Sequence, residues 1–183
     1  INGHKLEKSL DLEIIGKEFS NINTKYGKFS VIGNHDWRAN EKKVIEVLSK
    51  NGFTFLQNKN VKIEINDKTL FIAGVEDMQR GSTNIQKALE NTTPPTILLS
   101  HSPDIFPEVP EYVSLTLAGH LHGGQIRLPF IGGIIIPSKF GNKYANGLTE
   151  EDGRKILTTK GIGTSMFQIR FNCPPEIHII DFI

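Results

Sequence analysis

Cysteine is nearly missing from this chain. The 183 residues include one, Cys173, which excludes a disulfide framework and any cysteine-built metal site. Placed ahead of Pro174-Pro175, it reads as a small packed residue. No apolar run approaches the ~20 residues of a membrane-crossing helix, and no signal peptide is visible. Neither sign of charge prevails: 21 Lys and Arg stand against 20 Asp and Glu, so nothing here resembles a nucleic-acid footprint. Internal repeats, low-complexity stretches and an interdomain linker are lacking too. What is left, 38% hydrophobic and 22% charged residues, is the make-up of an ordinary globular protein rather than a disordered one. The length suits one domain, 1–183, able to bury roughly 70% of its unfolded surface.

The apolar pattern alternates between helix and strand in the first half and favours strands later, which predicts an α/β sandwich. Ser9 to Asn23 reads as a helix and Lys28 to Ile32 as a short strand. Asn40 is the expected N-cap of a second helix ended by Asn51-Gly52, with Phe53 to Leu56 as the next strand. Val61–Ile65 and Thr69–Ala73 form a hairpin through Asn66-Asp67-Lys68. A helix is expected over Ser82–Asn91, then strands at Thr96–Leu99 and Val113–Ala118 with a short helical piece at Ile105–Val109 between them. Beyond Gln125 glycine and proline break the chain into loops, and Arg154–Thr159 and Glu176–Phe182 read as the last strands.

Three segments share one design, an apolar strand, then Gly or Ser, then His: Val31-Ile32-Gly33-Asn34-His35, Leu98-Leu99-Ser100-His101 and Leu117-Ala118-Gly119-His120-Leu121-His122. The last pair alone reads equally as two solvated loop imidazoles. A turn at that strand end can splay His120 and His122 toward two points. Repeated three times, the design points to one function, because ligands of α/β sheets bind outside the carboxyl ends of strands. If the strands are neighbours in one sheet, they gather four histidines and an amide at one edge. Imidazole is the commonest metal-binding side chain. Asp77 and Asp104 also follow strands and are weaker candidates, and Arg38 after Trp37 reads as a surface residue. His4 and His178 read as solvated.

In this order, Gly33-Asn34-His35-Asp36, His101 and Gly119-His120-Leu121-His122 resemble the later motifs of the calcineurin-like metallophosphoesterases. Gly123-Gly124-Gln125, Lys160-Gly161-Ile162-Gly163-Thr164, Arg170 and Pro175-Glu176 are similar to its bacterial YkuE-like branch of phosphodiesterases. The resemblance implies a four-layer αββα sandwich and a hydrolase of phosphate esters. It implies two divalent ions (Mn, Fe or Zn) about 3.5–4 Å apart, with a bridging hydroxide as nucleophile. By similarity, Asn34, His101 and His120 hold one ion and His122 the other. His35 contacts the phosphate and helps the leaving oxygen depart. Asp36 takes an orienting role.

The family also carries an Asp-x-His and a Gly-Asp-x-x-Asp near its N-terminus, and neither occurs in this sequence. Two explanations stay open. The chain, which starts at Ile1, is the C-terminal part of a longer phosphoesterase lacking the opening βαβ portion. Alternatively it is a relative that keeps the fold as a non-catalytic phosphate- or metal-binding module, or as a structural protein with one His-rich ion. On either, the ligands present imply weak metal binding and impaired catalysis by the chain alone. The Gly- and Pro-rich segment from Ile126 to Gly147, with Ile131 and Ile134 to Ile136, suggests an apolar lid. From it follow a lipid-linked phosphate-ester substrate and a peripheral membrane contact as expectations, for a protein either cytoplasmic or on a membrane surface.

Overall fold

The structure, a computed structural model, describes residues 12–165 and 168–182. It begins with α1 (Leu12–Ser20), β1 (Lys28–Ser30), α2 (Asn34–Lys50) and β2 (Phe53–Phe55). Ser9 to Asp11, the expected start of α1, lie outside the described residues, as does His4. The expected cap at Asn40 is present inside α2. There the backbone turns out of helical geometry (φ 130°) and Asn40 Oδ1 accepts the Lys43 N–H at 3.2 Å, restarting the helix. α1 lies tightly on α2, because Gly16 has no Cβ to meet Asn51 Nδ2 and Val47.

β1 and β2 form a two-stranded parallel sheet. The strands β3 (Lys59–Ile65), β4 (Lys68–Gly74), β5 (Thr96–Leu99), β6 (Leu115–Ala118), β9 (Gly147–Glu151) and β10 (Arg154–Thr158) build a second sheet, in the order β3-β4-β5-β6-β10-β9. Its four middle strands are parallel and its two edges antiparallel. Asn66 and Asp67 both take positive φ in the β3–β4 turn, the conformation that matches strand twist in a two-residue hairpin. A small hairpin, β7 (Arg127–Leu128) with β8 (Gly132–Gly133), stands apart.

Alternation along the strands sets the layers. Ile72 and Ile97 join Leu56 on one face, with Phe29 of β1 packed against them, so the two sheets lie face to face. Ala73 and Leu98 point the other way, onto Ile85 and Ala88 of the short helix α3 (Ile85–Ala88) and onto Ile105 of a 3₁₀ turn (Pro103–Glu108). The result is helices, small sheet, large sheet, helices: the αββα arrangement.

Three expectations need correction. β1 is not in the sheet of β5 and β6; it reaches the same rim from the facing layer. Only Ile85–Ala88 of the Ser82–Asn91 stretch is helical, because Ser82 and Asn84 are held by Glu76 and Asn58 outside any helix. Glu176–Phe182 forms no strand. Its Ile177 and Ile179 are exposed, and β9 already covers β10 on that side.

Candidate metal centre

Register brings the first two histidines together. Leu99 pairs with Leu117, and two residues on, the Gly119 N–H donates to the His101 carbonyl at 3.1 Å, carrying the ladder past the strand ends. His101 and His120 therefore sit side by side, rings edge to face at 4.8 Å between centroids. The chain then coils through positive φ at His120 (69°) and His122 (49°), with Leu121 buried between them as the anchor. This splays the two imidazoles: His120 faces His101, and His122 faces the 160–163 loop.

From the opposite layer, β1 leads into the first turn of α2. The Asp36 carboxylate accepts the Gly33 N–H at 2.9 Å and closes that turn. Asp36 thus has an orienting role, and burial raises its pKa above the usual carboxylate value despite that hydrogen bond. Gly33 must be glycine for space: a Cβ there would lie 2.6 Å from Cε1 and Nδ1 of the His101 ring. Asn34 is buried and places Oδ1 3.0 Å from His101 Nε2. His35, next along the turn, is exposed. Arg38 is exposed as well.

A residue absent from the sequence reading completes the group. Gln79 Oε1 accepts from Asn34 Nδ2 at 3.2 Å, and its Nε2 lies 3.4 Å from His120 Nε2. Asp77 holds Gln79 in place by accepting the N–H groups of Gln79 and Arg80. The signal was a fourth strand ending at the same rim, β4 into Gly74, without a histidine to mark it. Asp77 and Asp104 hold loops rather than joining the group; Asp104 accepts Ser138 Oγ and the Lys139 N–H.

Asn34, His101, His120 and Gln79 form a closed ring of four contacts, His101 using Nε2 for both of its own and His120 facing it at 3.0 Å. With both imidazoles neutral, no choice of tautomer and amide orientation satisfies all four. If Asn34 turns its oxygen to His101, that nitrogen must carry the proton, His120 must then present N–H to Gln79, and the two amides meet like to like. The reverse choice fails at the same place. A second proton on His120 would satisfy the ring, but burial lowers the His120 pKa, with Asp77 and Asp104 opposing. Independently of that conflict, Asn34 Oδ1, His101 Nε2 and His120 Nδ1 follow one another at 3.0 Å, the spacing of neighbouring donors about 2.1 Å from a single ion. The donor set fits a divalent ion, as one amide oxygen and two imidazoles.

Burial pulls His101 down to about 3, with His120, His122 and His35 adding to the shift. Burial lowers His122 as well, against the Gly163 carbonyl. Metal-binding imidazoles must be neutral, and burial favours the neutral form of all three. His122 Nδ1 donates to Gly163 O at 3.3 Å, which leaves Nε2 as the lone-pair nitrogen. Arg170 holds this arm: its guanidinium donates to the carbonyls of His122, Cys173, Lys160, Gly161 and Gly163. Cys173 is buried beneath, its thiol on the His122 carbonyl. Gly123, at φ 60°, leaves room for Lys160 and Cys173. His178 lies away from the site, beside Glu176.

Among the described residues, no three His, Cys, Asp or Glu side chains are grouped to hold an ion. The ring is two imidazoles and amides, and His122 stands apart from it. Next to Gln79 a cleft of about 460 Å³ opens, lined by Met78, Ser102, Asp104, Ile136, Pro137, Ser138 and Lys139. No helix among the described residues is long and apolar enough to cross a membrane.

No family model matches the chain. No solved structure matches it. Among curated proteins it is 32% identical over 163 residues to the metallophosphoesterase YkuE of Bacillus subtilis, covering 86% of this chain and 57% of that one. It is 34% identical over 179 residues to a metallophosphoesterase of Aquifex aeolicus (93% and 66%). It is 32% identical over 159 residues to the phosphodiesterase YaeI of Escherichia coli (85% and 58%). The chain thus spans roughly three fifths of these relatives' length. Likeness of this extent, together with the αββα layers, makes the chain a member of the YkuE-like metallophosphoesterases.

Proposed function

We propose that this chain supplies the leaving-group side and part of the metal centre of a phosphodiester hydrolase using two divalent ions, of Mn, Fe or Zn. The observation that carries the reading is the succession of Asn34 Oδ1, His101 Nε2 and His120 Nδ1, each 3.0 Å from the next, which one cation can draw together. Asn34, His101 and His120 hold one ion and His122 the other. When bound, the ions supply a hydroxide nucleophile at neutral pH and offset the charge of the phosphate.

The chain's own residues do the rest. Gln79 orients both Asn34 and His120, and Asp36 and Gly33 fix the turn that carries Asn34. His35, exposed at that turn, contacts the phosphate and protonates or hydrogen-bonds the departing oxygen. The adjoining cleft, with Met78, Ile136 and Pro137 on its wall, receives the alcohol portion of the substrate. Those aliphatic walls favour a lipid-linked phosphate ester.

All ligands this chain offers are neutral, so it binds ions weakly alone, and the carboxylate ligands of the family's two N-terminal motifs belong to an upstream part. The test is hydrolysis of bis(p-nitrophenyl) phosphate with Mn²⁺ by this chain and by one extended upstream through both motifs. Activity in the extended chain, lost on His35→Ala, supports the reading. Inactivity of both, with Mn²⁺ still bound, favours a non-catalytic metal-binding module.

A further inference from the structure

The hairpin β7–β8 displays apolar side chains that the fold does not use. Phe130 at its tip is fully exposed, and Ile131, Ile134 and Ile135 are each more than half exposed. Phe130 also takes φ 64°, a left-handed backbone conformation that bulky residues avoid. An aromatic side chain in that position gains nothing from burial and sits in a conformation glycine or asparagine would fill more easily. Its presence therefore calls for something outside the folded chain.

The display is braced rather than frayed. Leu128 pairs with Gly132 across the three-residue tip. The Asn142 side chain grips Gly133 from both sides, accepting its N–H at 2.9 Å and donating to its carbonyl at 3.2 Å. The Ile134 N–H donates to Ile126 O at 3.1 Å. A Cβ on Gly124 would lie 2.7 Å from the Gly133 Cα, so the hairpin packs directly on the Gly124 backbone. The apolar tip is thus held out on a fixed support.

Along the sequence this segment carries charge of one sign, although Asp104 holds the Lys139 N–H and Glu151 pairs with Lys143 from neighbouring elements. Residues 112–149 include Arg127, Lys139 and Lys143 and not one Asp or Glu, in a chain that is otherwise balanced. Lys139 is exposed and makes no ion pair among the described residues. Apolar side chains at a tip with cations behind them match the section of a bilayer, acyl chains inside and anionic headgroups outside.

We propose that the β7–β8 tip is a docking device for an anionic lipid surface, with Phe130 and Ile131 entering the acyl boundary and Lys139 meeting the headgroups. This goes beyond the phosphoesterase reading and does not depend on it. The two connect through Ile136 to Lys139, which leave the hairpin and line the cleft beside Gln79, so a docked protein would have that cleft next to the membrane.

The test is co-sedimentation of the chain with vesicles of equal phosphatidylglycerol and phosphatidylcholine, and with phosphatidylcholine alone. The chain is expected to pellet with the anionic vesicles and much less with the neutral ones. Phe130→Ser with Ile131→Ser lowers the bound fraction about tenfold or more, as lost apolar insertion requires. Lys139→Glu weakens binding to the anionic vesicles only. Both changes sit at exposed positions, and unchanged thermal melting checks the fold. Two outcomes overturn the proposal: a chain that stays in solution with both vesicles, or a tip variant that pellets as well as the parent. Sedimentation-velocity evidence of a dimer that the tip variant abolishes would overturn it too, assigning the tip to a second copy. Vesicle binding needs no turnover, so its failure leaves the phosphodiesterase assay untouched, and the converse holds.

Discussion

The two walls of the site are built differently. On one side His101 and His120 extend from β5 and β6, strands paired on both edges within a six-stranded sheet. Their separation is set by register, and moving either ring means breaking ladder hydrogen bonds. On the other side Asn34 and His35 ride the first turn of α2, behind a two-stranded sheet of three residues per strand. That wall has little rigidity of its own and takes its position from packing: Phe29 on the large sheet, Gly33 on the His101 ring. One half of the site is framed and the other is docked. The contact between Gly33 and His101 is where the docking error would be felt first.

This contrast can be broken in graded steps. His35→Ala leaves both walls intact and removes the group proposed to meet the phosphate. In the upstream-extended protein kcat is expected to fall about 10²–10⁴-fold, with Mn²⁺ affinity by calorimetry unchanged; a matching loss of affinity would make His35 a ligand instead. Gly33→Ala pushes the docked wall off His101, so kcat falls about 10²-fold from misplacement alone and, unlike His35→Ala, Mn²⁺ affinity falls with it. Stability should separate the two halves. Ile156→Ala, at a fully buried β10 position, costs about 2–5 kcal/mol in urea unfolding. Phe29→Ala in the half-buried small sheet costs about 1–2 kcal/mol, and equal losses would deny the contrast.

Acid should act on the framed wall. The unfolded His101 imidazole takes a proton near the ordinary histidine value of 6.5, while burial holds the folded one down to about 3. Below pH 6.5 the unfolded state therefore binds more protons and stability falls. His101 ring resonances followed by NMR are expected to stay at their neutral positions from pH 8 to pH 5. The smallest effect belongs to the α2 kink: Asn40→Gly keeps the positive φ and loses one side-chain cap, a change of a few tenths of a kcal/mol.

Much of this was legible in the chain itself. The strands that carry His101 and His120, the hairpin at Asn66-Asp67 and the cap at Asn40 follow from local pattern and turn chemistry, and the structure has them. The layers of the sandwich follow the resemblance. What local pattern could not reveal was settled by tertiary competition. Glu176–Phe182 alternates like a strand, yet β9 has taken the available edge of β10. Ser82 and Asn84 are drawn from a helix by Asn58 and Glu76. Gln79 escaped notice because its role is to bridge Asn34 and His120, residues that are 86 positions apart and meet only in the folded chain.

Arg170 carries a last consequence. One guanidinium gathers carbonyls from the His122 turn, from the 160–163 loop and from Cys173, so these stretches share a single fastening. Covalent continuity between residues 125 and 160 then matters less to the His122 arm than that fastening does. A protease nick in the exposed tip at Phe130-Ile131 would leave both pieces joined through β9, β10 and Arg170, with the histidine still in its place. Exchange of Arg170 for lysine, whose one ammonium cannot span the same set of carbonyls, would let the arm go with the backbone intact.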